Sequence, residues 1–127
     1  METWILVGLA ALALVWMLSP KVPADAALAP EQLKDTLARE KSLQLIDVRT
    51  AGEYGSGRIA GSRNIPLGDL VGRLKELDPA KPVVVYCRSG QRSAVALRSL
   101  RSGGFPSAKH LSGGLMAWQG AGYPVAR

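Results

Sequence analysis

The string Cys87-Arg-Ser-Gly-Gln-Arg-Ser93 brings a candidate nucleophile together with two guanidinium groups and two hydroxyls around one glycine. A cysteine reacts as its thiolate, and an unperturbed thiol has a pKa of about 8.5. Three features of the string lower that value. It follows the apolar run Val83-Val-Val-Tyr86, so it passes from a strand into the start of a helix, where backbone N–H groups can point at the sulfur. Gly90 opens backbone conformations closed to other residues. Arg88 and Arg92 add two positive charges close by. The same cradle of Arg88, Ser89, Gly90, Gln91, Arg92 and Ser93 would hold a small anionic substrate beside Cys87.

The rest of the composition narrows the chemistry. The chain has one cysteine and one histidine, which excludes an intramolecular disulfide and a cysteine-rich zinc site, and no metal site is expected. His110 reads as a surface or packing residue. The 16 Lys and Arg exceed the 10 Asp and Glu, but they form no dense basic run with interleaved aromatics, so no nucleic-acid partner is expected.

The elements that must position Cys87 follow from pattern. Pro30 suits a first helical turn, with Glu31 early, Arg39 and Lys41 late, and Leu33 and Leu37 as its apolar stripe. Residues 43–48 read as a short strand, and glycines 52, 55, 57 and 61 as an irregular loop. Leu67, Leu70, Leu74 and Leu77 recur at helical spacing and predict an amphipathic helix over 67–77. The run 83–86, bounded by turn residues, predicts a buried parallel strand. A helix over about 93–102, a short strand near 109–111 and a last helical turn through Trp118 complete the chain. Strands alternating with helices imply an α/β fold with a mainly parallel sheet flanked by helices. Asp47 and Arg49 end one strand and Cys87 follows another, so these groups would share one sheet edge, where such folds bind ligands. Asp47 and Arg49 thus frame a candidate active-site edge, with a structural ion pair, Arg49 with Glu53, as the alternative. Trp118 reads as a core or hydrophobic-lid residue.

Residues 4–18 carry no charge, and Trp4 and Trp16 stand near the two ends. With Thr3 and Ser19 the run reaches the lower length limit for spanning a bilayer, so residues 1–19 are expected to form one transmembrane anchor preceding the domain. Glu2 stands before the run, and Lys21, Lys34, Arg39 and Lys41 follow it, which puts the domain on the cytoplasmic side of a single-pass protein. The alternative is a signal segment cleaved near Ala26, after Ala24-Asp25-Ala26, with a periplasmic or secreted product. Residues 20–29, rich in proline and alanine, read as a linker, and residues 30–127 as the globular domain.

Three motifs in order resemble those of single-domain rhodaneses. They are the 87–93 string, the stretch Leu45-Ile-Asp-Val-Arg-Thr-Ala-Gly-Glu-Tyr54 with Gly57-Arg-Ile-Ala-Gly-Ser-Arg-Asn-Ile-Pro66, and Gly113-Gly-Leu-Met-Ala-Trp118. The resemblance spans roughly residues 30–125. It implies a rhodanese-like fold and an enzyme of the thiosulfate sulfurtransferase type. Cys87 would take the outer sulfur of thiosulfate or another sulfane donor as a persulfide and pass it to cyanide or a thiol. Arg88 and Arg92 would line the pocket, with loop amides stabilising the persulfide charge. This is covalent catalysis without a cofactor. The expected partners are a small sulfur-containing anion or a protein sulfur donor or acceptor. Arg58 departs from the pattern, standing where the family often has histidine.

Three rival functions are compatible with these residues. Cysteine-dependent phosphatases use a similar cradle but place five residues between Cys and Arg. Here four residues separate Cys87 from Arg92, a tighter ring that favours sulfur over phosphate. A membrane-held delivery or binding module would use the same loop with little small-molecule turnover. Redox sensing would need a resolving thiol from elsewhere.

Overall fold

The computed structural model describes residues 22–127, so the apolar run at 4–18 and its anchor lie outside the described residues. Among the described residues, no helix is long and apolar enough to cross a membrane. A 3-10 turn at Ala24–Ala26 leads into β1 (Ala27–Leu28), α1 (Pro30–Arg39), β2 (Gln44–Asp47), α2 (Ala51–Ser56) and β3 (Arg63–Asn64). Then come α3 (Leu67–Leu70), β4 (Val83–Tyr86), α4 (Gln91–Ser102), β5 (Lys109–Leu111) and α5 (Gly114–Gly120). The strands form one sheet in the order β1-β5-β4-β2-β3, with every pairing parallel.

Side-chain alternation along β4 decides where each group goes. Val83 and Val85 pack with Ile46, Val48, Leu70, Leu97 and Leu100 on the face covered by α3 and α4. Val84 and Tyr86 pack with Leu33, Leu45, Leu111, Leu115 and Trp118 on the face covered by α1 and α5. Cys87 continues the Val83 and Val85 face and joins their cluster, which aims it at the start of α4.

Three expectations about elements are corrected. The residue 20–29 stretch is not only a spacer: Ala26 is fully buried, and β1 pairs with β5 through Ala27 to His110 and Leu28 to Leu111. The glycine-rich segment after residue 50 begins as a helix. Thr50 Oγ1 accepts from Glu53 N (3.2 Å) while Glu53 Oε1 accepts from Thr50 N (3.1 Å), a reciprocal cap that offsets the low helix propensity of Gly52 and Gly55. The single helix expected over 67–77 is a short α3 continued by a 3-10 helix, Val71–Glu76. The leucines still reach the core: Leu70 and Leu77 are buried, and Leu67 and Leu74 pack against the same cluster. Gly68 and Gly72 deprive the backbone of helix preference, and the tighter winding serves the leucine contacts as well.

Candidate active site

The loop from β4 to α4 wraps its own sulfur. Cys87 Sγ accepts from Gly90 N (3.0 Å) and Ser93 N (3.3 Å) and lies 3.6 Å from Ser93 Oγ. Gly90 takes φ of +105°, the left-handed conformation that turns its N–H inward. Burial of Cys87 pushes its thiol pKa up. The Ser93 hydroxyl and the N–H groups of Ser93, Gly90 and Ser89 outweigh that and hold it below the ordinary value.

The glycine pair explains how a second wall closes on this loop. Gly113 and Gly114 have φ of +74° and +62°. A Cβ on Gly114 would stand 2.5 Å from the Cys87 carbonyl oxygen and from Arg88 backbone atoms, so only glycine admits α5 at this distance. Leu115 N then donates to Cys87 O (2.8 Å) and Met116 N to Arg88 O (3.0 Å), fixing the Cys87 loop from outside. In the sequence the pair was legible only as part of a family signature.

The two arginines differ. Arg92, expected to lend its charge to the sulfur, gives both guanidinium nitrogens to Glu53, at 2.6 and 2.9 Å. That contact pulls the Glu53 carboxyl down to about 2, and the Glu53 hydrogen bond is the main reason that the Arg92 pKa is raised. Glu53 therefore pairs with Arg92 and not with Arg49. Arg88 makes no side-chain hydrogen bond or ion pair among the described residues. With Arg49, Glu53, Met116, Gln119 and Arg127 it lines a cavity of about 430 Å³ beside the loop.

Asp47 and Arg49 do reach the same edge of the sheet as Cys87, but by alternation Asp47 shares the Leu45 and Tyr86 face. Arg49 Nε contacts both Asp47 oxygens at 3.0 Å, and its Nη2 lies 2.6 Å from Asp47 Oδ2 and from Gly57 O. Asp47 is fully buried and Arg49 is 5% exposed. Burial works against the Arg49 charge, yet its contacts with Asp47 leave the pKa raised. The pair ties β2 to the end of α2, the structural alternative with a different partner. Trp118 is buried and donates from Nε1 to Pro124 O (2.9 Å), as a core residue. Arg58 stacks on the Tyr54 ring at 4.7 Å and pairs its backbone with Ala126.

His110, read as a surface or packing residue, is buried, and it packs beside the Cys87 loop. Its Nδ1 lies 2.8 Å from Ser93 Oγ. No spacing in the sequence links residue 110 to residue 93; the parallel crossover through α4 does.

Residues 29–121 match the model for the rhodanese-like domain. The chain belongs to the rhodanese-like domain family. An uncharacterized protein of Bacillus subtilis is 42% identical over 80 residues, covering 63% of this chain and 64% of its own length. A sulfurtransferase of Allochromatium vinosum is 35% identical over 95 residues, covering 75% of this chain and 89% of its own. The crystal structure of a thiosulfate sulfurtransferase from Pseudomonas aeruginosa superposes with a TM-score of 0.74 at 31% identity, over 80% of this chain and 20% of that one. This rhodanese-like chain thus spans less than two thirds of two of the three. Within the rhodanese-like domain, the 87–93 loop closes on the Cys87 sulfur, and the glycine pair lets α5 close on the Cys87 carbonyl from outside.

Proposed function

We propose that the chain is a sulfurtransferase that carries sulfane sulfur on Cys87. The observation that carries this reading is the preformed cradle: two backbone N–H groups within 3.3 Å of Sγ, in a loop held from outside by α5. Such a cradle stabilises a thiolate and, after transfer, the terminal sulfur of a persulfide. The Cys87 thiolate attacks the outer sulfur of thiosulfate; a new S–S bond forms, the old one breaks, and sulfite leaves with the bonding electrons. A thiophilic acceptor such as cyanide or a thiol then attacks the outer sulfur, and the thiolate is restored. A relative named as a sulfurtransferase and a structural neighbour titled thiosulfate sulfurtransferase support this choice of chemistry.

Among the described residues Arg88, on the Cys87 loop itself, has no side-chain partner and is placed to meet the incoming anion, whereas Arg92 is engaged by Glu53. Steady-state thiocyanate formation tests the assignment. Cys87→Ser abolishes it, and Arg88→Ala raises the thiosulfate KM by at least about tenfold, the loss of a charge-assisted contact of ~1.5–3 kcal/mol. A larger KM effect at Arg92 than at Arg88 would return the anion site to Arg92. Hydrolysis of p-nitrophenyl phosphate by the wild type, dependent on Cys87, would move the assignment to a phosphatase.

The membrane anchor belongs to the same proposal. The uncharged run at 4–18, followed by Lys21, would hold the domain at the cytoplasmic surface. The burial of Ala26 within the fold supports an uncleaved segment, because cleavage after it would remove a core residue. Full-length protein is expected to stay with membranes through alkaline carbonate washing; release of a form starting at Ala27 would overturn the anchor.

A further inference from the structure

His110 on β5 is the register partner of Val85 on β4, so its ring shares with Cys87 the face that α4 covers. Between them lies Ser93, fully buried, with Oγ 2.8 Å from His110 Nδ1 and 3.6 Å from Cys87 Sγ. We propose that His110 is a positioning residue: as the Nδ1–H tautomer it donates to Ser93 Oγ and thereby turns the Ser93 hydroxyl proton onto the Cys87 sulfur. The idea rests on the sulfurtransferase reading only in taking the thiolate as the working form.

The Ser93 hydroxyl has one proton and three neighbours able to take it: His110 Nδ1, the Gly90 carbonyl at 3.2 Å and Cys87 Sγ. With Nδ1 unprotonated, the shortest contact takes that proton, and the sulfur faces only hydroxyl lone pairs. With Nδ1 protonated, Oγ accepts from the ring and keeps its proton for the other two. The Gly90 carbonyl already accepts from Ala94 N (3.1 Å), and an anionic sulfur is the stronger competitor.

The ring is suited to this tautomer. Burial pushes the His110 pKa down, so the ring stays neutral and one nitrogen must be bare. Among the described residues no buried side-chain nitrogen or oxygen lacks a partner. Nε2, which has no partner among the described residues, therefore reaches solvent, and water can donate to it. Lys109, next to His110 on β5, is exposed. Arg88 and the Arg92–Glu53 pair flank the loop, but neither hydrogen-bonds to Ser93 or His110 among the described residues. The hydroxyl's direction is thus set by the imidazole.

One cysteine and one histidine make the test clean in the full-length chain. The pH dependence of iodoacetamide alkylation reports the Cys87 thiol and needs no sulfur donor, so it stands whether or not persulfide forms. His110→Leu and Ser93→Ala are each expected to raise the apparent thiol pKa by about one unit, about a tenfold slower reaction below that pKa. The double variant shifts it no further than Ser93→Ala alone, because His110 acts through Ser93. His110→Asn, whose amide can donate from near the Nδ1 position, restores most of the profile. A His110→Leu profile equal to wild type, or additive single effects, overturns the proposal. Nitrogen NMR of the wild-type imidazole at pH 8 provides a check that no folding defect can blur: a protonated Nδ1 supports it, and a bare Nδ1 overturns it.

Discussion

The loops that leave β2 and β4 start at the same level of the sheet, since Asp47 and Tyr86 are register partners, and each must settle an anionic group there. After β2 the group is the Asp47 carboxylate, neutralised by a buried guanidinium whose remaining reach ends on the Gly57 carbonyl. After β4 it is the Cys87 sulfur, met by backbone N–H groups and one hydroxyl. A full counter-charge saturates its anion and leaves it nothing to react with. Backbone dipoles stabilise the charge while leaving the sulfur a lone pair to use. One position in the topology thus holds a saturated ion pair on one strand and, on the next, a sulfur met by dipoles alone.

The sharpest way to break the comparison is to unpair the first loop. Arg49→Ala leaves Asp47 buried without its partner and is expected to cost about 3–5 kcal/mol in urea unfolding. The folded fraction should keep its Cys87 alkylation profile. A parallel loss of thiol reactivity would show that the two loops are one unit.

Next in size is the wall behind the second loop. Gly114→Ala forces a Cβ to 2.5 Å from the Cys87 carbonyl oxygen at a positive φ, and is expected to destabilise by about 1–3 kcal/mol. Unlike Arg49→Ala, it should also slow turnover per folded molecule, because the α5 contacts fix the nucleophile loop. A purely thermodynamic effect would mean that the loop holds its shape without α5.

The smallest effect concerns the bridge between the loops. The Glu53 carboxyl is drawn from 4.5 to about 2 by Arg92, so the pair stabilises the fold above pH 4.5 and that contribution fades as pH falls toward about 2. Both side chains are about one-third exposed, so solvent screening keeps the contribution of Glu53→Gln below about 1 kcal/mol at pH 7. Comparing wild type and Glu53→Gln across that acid range measures it; curves that stay parallel throughout would contradict the pairing.

How far the sequence could be read follows from the range of each interaction. β4, α4 and the Cys87 cradle were legible because an apolar run, a glycine and a helix start are consecutive along the chain. Helix α2 was not legible, because Gly52 and Gly55 lower its helix propensity and only the Thr50 and Glu53 cap offsets them. The exchange of partners, Arg49 to Asp47 and Glu53 to Arg92, depends on which face each residue takes once β2 is in the sheet. His110 was out of reach for the same reason, since only the register of β5 against β4 brings it to Ser93. Gly114 carried a motif but not its cause, the approach of α5 to the Cys87 carbonyl.

The central claim is that Cys87 is a sulfur carrier, and intact mass of the full-length chain tests it most directly. After thiosulfate the protein should gain the mass of one sulfur atom, lose it again on adding cyanide, and show neither change as Cys87→Ser. No gain from thiosulfate or from any other sulfane donor, or a gain that persists in Cys87→Ser, would contradict the account.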